Sequence, residues 1–229
     1  MVTFSQSTTT INKEISAAAK TFQSIYETNS WGFGSGPGSL PRVTNSYRSF
    51  VESFIREKRI STVVDFGCGD WQFSRFIDWS GAEYLGLDIN AGVIERNQSK
   101  YTKKGVRFEL APNQFTSVPS GELLLVKDVL QHFSTALVKE FMTHVVPRFP
   151  FVLITNCVEP AAALNQEIET GAWRPLDLRA QPYSFDVPAV FSFSGAAVFS
   201  FRKLRRYPSW RKVVLLFSSD SRGRTAASR

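Results

Sequence analysis

Between Thr62 and Cys157 the sequence repeats one arrangement several times over: a short apolar run, then a stretch with helical spacing or turn residues. The runs are "TVVDF", "YLGLD", "VRFEL", "GELLLVKD" and "FVLITNC". Each is too short for a buried helix and suits a strand covered on both faces. The segments between them, a helix from about Trp71, "NAGVIERNQSKY" and "STALVKEFMTHVV", read as crossover helices. Strands alternating with helices specify an α/β fold, a doubly wound, mostly parallel sheet with helices on both faces. After Cys157 the pattern changes. "QEIETGAWRPLDLRAQPYSF" reads as an ordered loop, and "AVFSFSGAAVFSF" and "WRKVVLLF" as strands added at the sheet edge, antiparallel to one another.

Ahead of this core, residues 1 to about 20 are polar and weakly patterned, which suggests a frayed helix. In "AAAKTFQSIYETN", Phe22, Ile25 and Tyr26 have the spacing of a short amphipathic helix. The segment Ser30 to Arg42, "SWGFGSGPGSLPR", is a loop on its glycines and prolines. From Thr44 to Lys58, Tyr47, Phe50, Val51, Phe54 and Ile55 share one helical face, with Thr44 or Asn45 as cap. We therefore divide the chain into a helical segment with a Gly-rich lid loop at 1–58, a core at 59–217 with a substrate loop at 159–188, and a basic flexible tail at 218–229. With 229 residues, 43% of them hydrophobic, one domain with appendages is expected. No apolar run is long enough to span a membrane and no secretory leader pattern opens the sequence, so a soluble cytoplasmic protein is expected. Cys68 and Cys157 form no metal-ligand spacing; reduced, buried thiols and no metal are expected.

The formal charge of +7 is unevenly placed: from Arg202 onward there are nine basic residues and one acid, so the rest of the chain is close to neutral. A basic, Ser-rich end reads as a solvated tail more readily than as a nucleic-acid arm. A membrane-surface or acidic-partner role stays open for "RKLRRYPSWRK", where Tyr207 and Trp210 sit among the charges.

In an open parallel sheet, ligands bind beyond the carboxyl ends of the strands, and "VVDFGCGDW" occupies that place after the first strand. A dinucleotide fingerprint fails, because Gln72 stands at its third glycine position. A pyrophosphate would also lie beside Asp65 and Asp70. A cationic, amino-acid-like ligand suits those carboxylates instead, with Gly67 and Gly69 letting it approach the backbone. A carboxylate within a buried strand is costly unless something pairs with it.

The stretch resembles motif I of the class I S-adenosylmethionine-dependent methyltransferases, with Asp65, Gly67 and Gly69 matching and Trp71 in place of the last glycine. "YLGLDIN" is similar to the acidic end of that family's second strand. The resemblance implies a Rossmann-like, seven-stranded sheet with an antiparallel edge strand, and S-adenosylmethionine as cofactor. It implies a binding site made of Asp65, Gly67, Cys68, Gly69, Asp70, Trp71, Asp88, Ile89, Asn113, Gln114, Lys127 and Asp128. Within that set Asp88 takes the ribose hydroxyls, Asn113 or Gln114 the adenine, and a bulky Trp71 the methionyl end. Plainer roles remain beside these: a tight turn for the glycines, capping for Asp70 and Asp88.

At the fourth strand, "KDVLQHFS" is similar to family members acting on small molecules, with His132 facing the acceptor. Together with "IYETNSWGFGSGPGSLPR" and "IETGAWRPLDLRAQPYSF" it resembles a bacterial subgroup linked to surface-polysaccharide or small-metabolite methylation. A small-molecule or glycan acceptor follows, methylated on oxygen, with His132 and Asp128 as catalytic residues and His132 as general base or orienting group. Trp31, Trp173, Arg174 and Asp177 join His132 as acceptor-site candidates, although Trp173 and Arg174 can equally be packing and surface-pairing residues. His144 falls late in a helix and reads as structural. The rival functions are a nucleic-acid methyltransferase, a noncatalytic S-adenosylmethionine-binding protein and a nicotinamide oxidoreductase. Oligomeric state is open.

Overall fold

The computed structural model describes residues 3–194, 197–200, 204–208 and 210–219. One helix, α1 (Thr3–Glu27), precedes the Gly-rich loop, and a second, α2 (Asn45–Lys58), precedes the sheet. Both are longer or as long as the sequence suggests; the first extends back through the polar residues. Helix α2 buries Tyr47, Val51, Phe54 and Ile55, the face set by helical spacing, and ends at Arg59 in the left-handed conformation.

Five parallel strands follow: β1 (Thr62–Phe66), β2 (Glu83–Asp88), β3 (Val106–Leu110), β4 (Leu123–Lys127) and β5 (Phe151–Cys157). Helix α3 (Ala91–Tyr101) connects β2 to β3 and α4 (Thr135–His144) connects β4 to β5. Asn90 caps α3 by accepting from the Val93 N–H, and Ser134 caps α4 by accepting from Leu137. Antiparallel β6 (Ala189–Ser194) and β9 (Arg211–Ser218) complete a seven-stranded sheet of order β3-β2-β1-β4-β5-β9-β6. A separate hairpin pairs β7 (Val198–Ser200) with β8 (Arg205–Tyr207). The fold is the expected α/β, mostly parallel sheet.

Alternation divides the core between the two faces. On β4, Leu124 and Val126 pack with α1 and α4, whereas Leu123 and Leu125 pack with α2 and α3. Two features position the site. The strand order reverses between β1 and β4, opening a crevice at their carboxyl ends. The register of β9 on β5 then sets Lys212 opposite Cys157 at the same end of the sheet.

One expected helix is absent. Between β1 and β2 the chain makes a left-handed turn at Trp71 and a single 3-10 turn, Ser74–Phe76. Aromatic packing takes the helix's place: the Trp71 ring lies 5.1 Å from both Tyr101 and Phe108 and 5.7 Å from Tyr84, and the Trp79 N–H donates to the Ser74 carbonyl at 2.8 Å. Bulky rings that fill the sheet face directly leave a helix nothing to cover. Ser218 ends β9, and residues 220–229 of the anticipated tail lie outside the described residues. No helix among the described residues is long and apolar enough to cross a membrane.

Candidate functional site

A cavity of about 430 Å³ opens at the carboxyl ends of β1, β2, β4 and β5. Its volume is in the range of small-molecule sites. On the β1–β2 side it is built around the motif turn, and Asp65, Gly67, Cys68, Gly69, Asp88 and Ile89 line it. Gly67 and Gly69 take φ of +79° and +56°, and a Cβ on them would meet Val129 Cγ2 and Ser35 Oγ, each at 2.3 Å. Only glycine fits this turn.

Asp65 is 4% exposed, and the Tyr84 hydroxyl donates to its Oδ2 at 2.6 Å. Burial raises its pKa to about 6 against the effect of that bond and of the Lys127 charge. Asp88 is held by backbone N–H groups, Gly69 donating to Oδ2 and Asn90 to Oδ1, both at 2.9 Å. Burial lifts its pKa as well, to about 6, against those same bonds. Each Asp88 oxygen retains acceptor capacity, so the carboxylate can take two further donors from the cavity. Asn90, not Asp88, is the cap of α3.

The Gly-rich loop closes over this turn, and Trp31 and residues Ser35 to Ser39 line the cavity. Ser35 is its clasp: its hydroxyl donates to Asp70 Oδ1 at 2.6 Å, accepts from the Asp70 N–H at 2.8 Å and lies 2.7 Å from the Tyr26 hydroxyl. Gln72 donates to the Phe33 carbonyl at 2.5 Å. This corrects Asp70, which ties the loop down and does not line the cavity. Trp71 is corrected too, since its ring turns to the opposite face of the sheet, among Tyr84, Tyr101 and Phe108. Asn113 and Gln114 are exposed, and the cavity wall there is Ala111, Pro112 and Phe115. The polar pair reaches solvent because Phe115 takes the inward position.

At the end of β4, Asp128 has φ +60° and turns its carboxylate between two ammonium groups. Lys127 Nζ donates to Oδ2 and Lys212 Nζ to Oδ1, each at 2.6 Å. Burial alone would raise the Asp128 pKa, but the two cations hold it at about 2. Asp128 is therefore an ion-pair anchor and not a proton acceptor. Burial lowers the Lys127 pKa. It opposes the Lys212 charge too, yet Asp128 and Cys157 hold that ammonium protonated above the usual lysine range. Lys127 also donates to the Gly38 carbonyl at 3.0 Å, linking the cluster to the loop. A Cβ on Gly38 would lie 3.2 Å from both Asp128 Oδ2 and Lys212 Nζ, so the chain passes close over the pair.

His132 lines the cavity, its ring 5.2 Å from that of Trp31 and 6.3 Å from that of Phe22. Nδ1 lies 2.8 Å from the Ala172 carbonyl, so a neutral ring donates there and leaves the Nε2 lone pair free to accept. Burial lowers the pKa to about 4, against the Ala172 contact. His144, by contrast, is paired at the surface with Glu140 at 3.2 Å.

Of the acceptor candidates beyond β5, Trp173 lines the cavity and stacks on Trp210, centroids 4.5 Å apart and planes 19° apart. Arg174 does not line it. This side chain, 1% exposed, donates to the Phe133 carbonyl and to the Tyr183 hydroxyl, pinning the 159–188 loop to the end of β4. Asp177 is spent on Arg179, accepting at 2.7 Å. Sequence reasoning missed Tyr26, Ser35, Trp210 and Lys212. The signal available for Lys212 was a lysine directly ahead of the apolar run Val213–Phe217, while Trp210, among its charges, reads in sequence as open to a membrane-surface or acidic-partner role. Cys68 and Cys157 are buried thiols without a disulfide, and Lys212 donates to the Cys157 sulfur at 3.1 Å. No group of three His, Cys, Asp or Glu among the described residues is placed to hold a metal.

No family model matches the chain, and no curated protein matches it in sequence. Solved structures do. The magnesium protoporphyrin IX methyltransferase ChlM from Synechocystis PCC 6803, crystallised with SAM, superposes with a TM-score of 0.56 at 16% identity, over 88% of this chain and 96% of that one. The two chains share a fold. N-methyltransferase NodS from Bradyrhizobium japonicum WM9, in complex with S-adenosyl-L-homocysteine, gives 0.54 at 10% identity, over 77% and 88%. TehB from Haemophilus influenzae gives 0.53 at 12% identity over 73% of this chain, which spans 60% of TehB.

Proposed function

We propose that the protein is an S-adenosylmethionine-dependent methyltransferase acting on a small-molecule acceptor, with an oxygen atom as the methylated position. The observation that carries the reading is Asp88: a buried carboxylate at the crevice, oriented by two backbone N–H groups and still able to accept from two hydroxyls. That is the recognition a ribose diol requires. Gly67 and Gly69 let the ligand lie on the backbone, and Asp65 gives the same half of the cavity a second negative charge for a cationic ligand. ChlM and NodS, with their bound SAM and S-adenosylhomocysteine, support the cofactor by sharing the fold.

When bound, S-adenosylmethionine supplies an electrophilic methyl group. The chain's own residues hold the partners in line, which by itself contributes several kcal/mol (about 7–11 in favourable cases). The loop clasped by Ser35 and Asp70 acts as a lid that excludes water. His132 acts through Nε2, accepting from and orienting the acceptor. With a pKa of about 4 it stays neutral at pH 7 and is a weak base. The acceptor site lies between His132, Trp31, Trp173 and Lys212. We place the core, its lid segment 1–58 and its substrate loop 159–188 in one functional unit.

Calorimetric titration with S-adenosylhomocysteine tests the reading. Binding that disappears in Asp88→Ala is expected, and absence of binding by the parent protein overturns it. Binding without methyl transfer to any component of a metabolite extract would favour the noncatalytic alternative.

A further inference from the structure

The half of the cavity away from the motif turn has its own chemistry. Its walls are Phe22 from α1, Trp31 from the loop, Phe133 after β4, and the stacked pair Trp173 and Trp210. Beside these rings the polar lining is Ser39, Gln131, His132, Asp128, Lys127 and Lys212. Asp128 is consumed by its two cations, and Lys127 is consumed in turn by Asp128, the Gly38 carbonyl and the face of Phe73, 4.9 Å below its Nζ. Lys212 differs. It lines the cavity and donates to Asp128 and to the Cys157 sulfur, two of an ammonium's three hydrogens.

We infer that the acceptor is a flat, largely apolar molecule bearing an acidic oxygen, which Lys212 holds by a charge-assisted hydrogen bond while the tryptophan pair and Trp31 cover its ring. This rests on the methyltransferase reading above. A sugar chain presents hydroxyls around its whole rim, and against the faces of Trp31, Phe133, Trp173 and Trp210 each one buried without a partner costs roughly 1–3 kcal/mol. A planar acid matches the wall with its faces and, with its edge, the third hydrogen that Lys212 keeps beyond Asp128 and Cys157. With Nδ1 committed to the Ala172 carbonyl, neutral His132 presents only a lone pair at Nε2 and cannot hold an anionic oxygen, so holding that oxygen falls to Lys212.

The test is calorimetry on protein saturated with S-adenosylhomocysteine, using 2-naphthoate, its neutral counterpart 2-naphthalenemethanol, and maltose. Naphthoate should bind about tenfold more tightly than the alcohol, the effect of one hydrogen bond to a charged group. Lys212→Met should reduce that preference to within about twofold, and Trp210→Ala should weaken both naphthalene probes alike. Equal affinity for acid and alcohol in the parent protein, maltose as the tightest probe, or a preference that survives Lys212→Met each overturn the inference. The parent comparison decides without any variant, so a misfolded Lys212→Met leaves the inference open to refutation. Failure to bind S-adenosylhomocysteine overturns the methyltransferase reading itself, whereas binding without acid preference removes only the acceptor class.

Discussion

The two halves of the cavity are made of different material. Around Asp65, Gly67, Gly69 and Asp88 the site is largely backbone: a turn at positive φ, peptide N–H groups aimed at a carboxylate, glycines where no side chain fits. Around His132, Trp173, Trp210 and Lys212 it is side chain, drawn from the end of β4, the loop after β5 and the start of β9. A backbone-built half is fixed by local sequence. A side-chain-built half can be altered one residue at a time without disturbing the turn beside it.

The largest effect should come from the carboxylate. On the proposed reading, Asp88→Ala removes two hydroxyl contacts worth about 1.5–3 kcal/mol each and should weaken S-adenosylhomocysteine by about 100-fold or more in calorimetry. Gly67→Ala should break the turn itself, costing about 2 kcal/mol by thermal melting through a strained φ and the clash with Val129. Adding Val129→Ala should recover only the steric part.

Acidification probes the same half more gently. Asp65 and Asp88, raised to about 6, are deprotonated at pH 7, and affinity for a cationic ligand should fall as pH drops through about 6. Their effect on folding has the opposite sign: a carboxyl raised above its unfolded value near 4 favours the folded state most below that value, and the contribution is lost as pH rises toward 6. His132, depressed to about 4, opposes this, its contribution being lost as pH falls from about 6.5. An acid limb near pH 6 in binding therefore reports the carboxylates and not the histidine. The smallest change expected is at the lid, where Asp70→Asn should loosen the Ser35 clasp and raise the cofactor dissociation rate about fivefold in stopped flow, from a loss of about 1 kcal/mol.

The contrast explains what the sequence could disclose. Asp65, the glycines and Asp88 sit within a short stretch at a place the strand pattern identifies, so their convergence was readable from order alone. The sheet was readable for the same reason, because apolar runs and helical spacing are local. The crossover after β1 was not: Trp71, Phe73, Ile77 and Trp79 fill the sheet face without a helix, and apolar spacing does not distinguish the two solutions. Arg174 looked like a ligand and is a brace, since a buried guanidinium bonded to Phe133 and Tyr183 cannot be told from a free one by its neighbours in sequence. Lys212 meets Asp128 only through the antiparallel register of β9 on β5, a pairing that no local pattern records.

That register bears on how the molecule is made. Strand β9 lies between β5 and β6, although β6 precedes it in the chain. During synthesis from the N-terminus, β1 to β5 can assemble with the motif turn while β6 waits for the strand that will join it to the sheet. Lys212 arrives with that strand. A nascent chain can thus shape its motif turn early, but Asp128 stays without its second cation until the last piece of sheet is laid down.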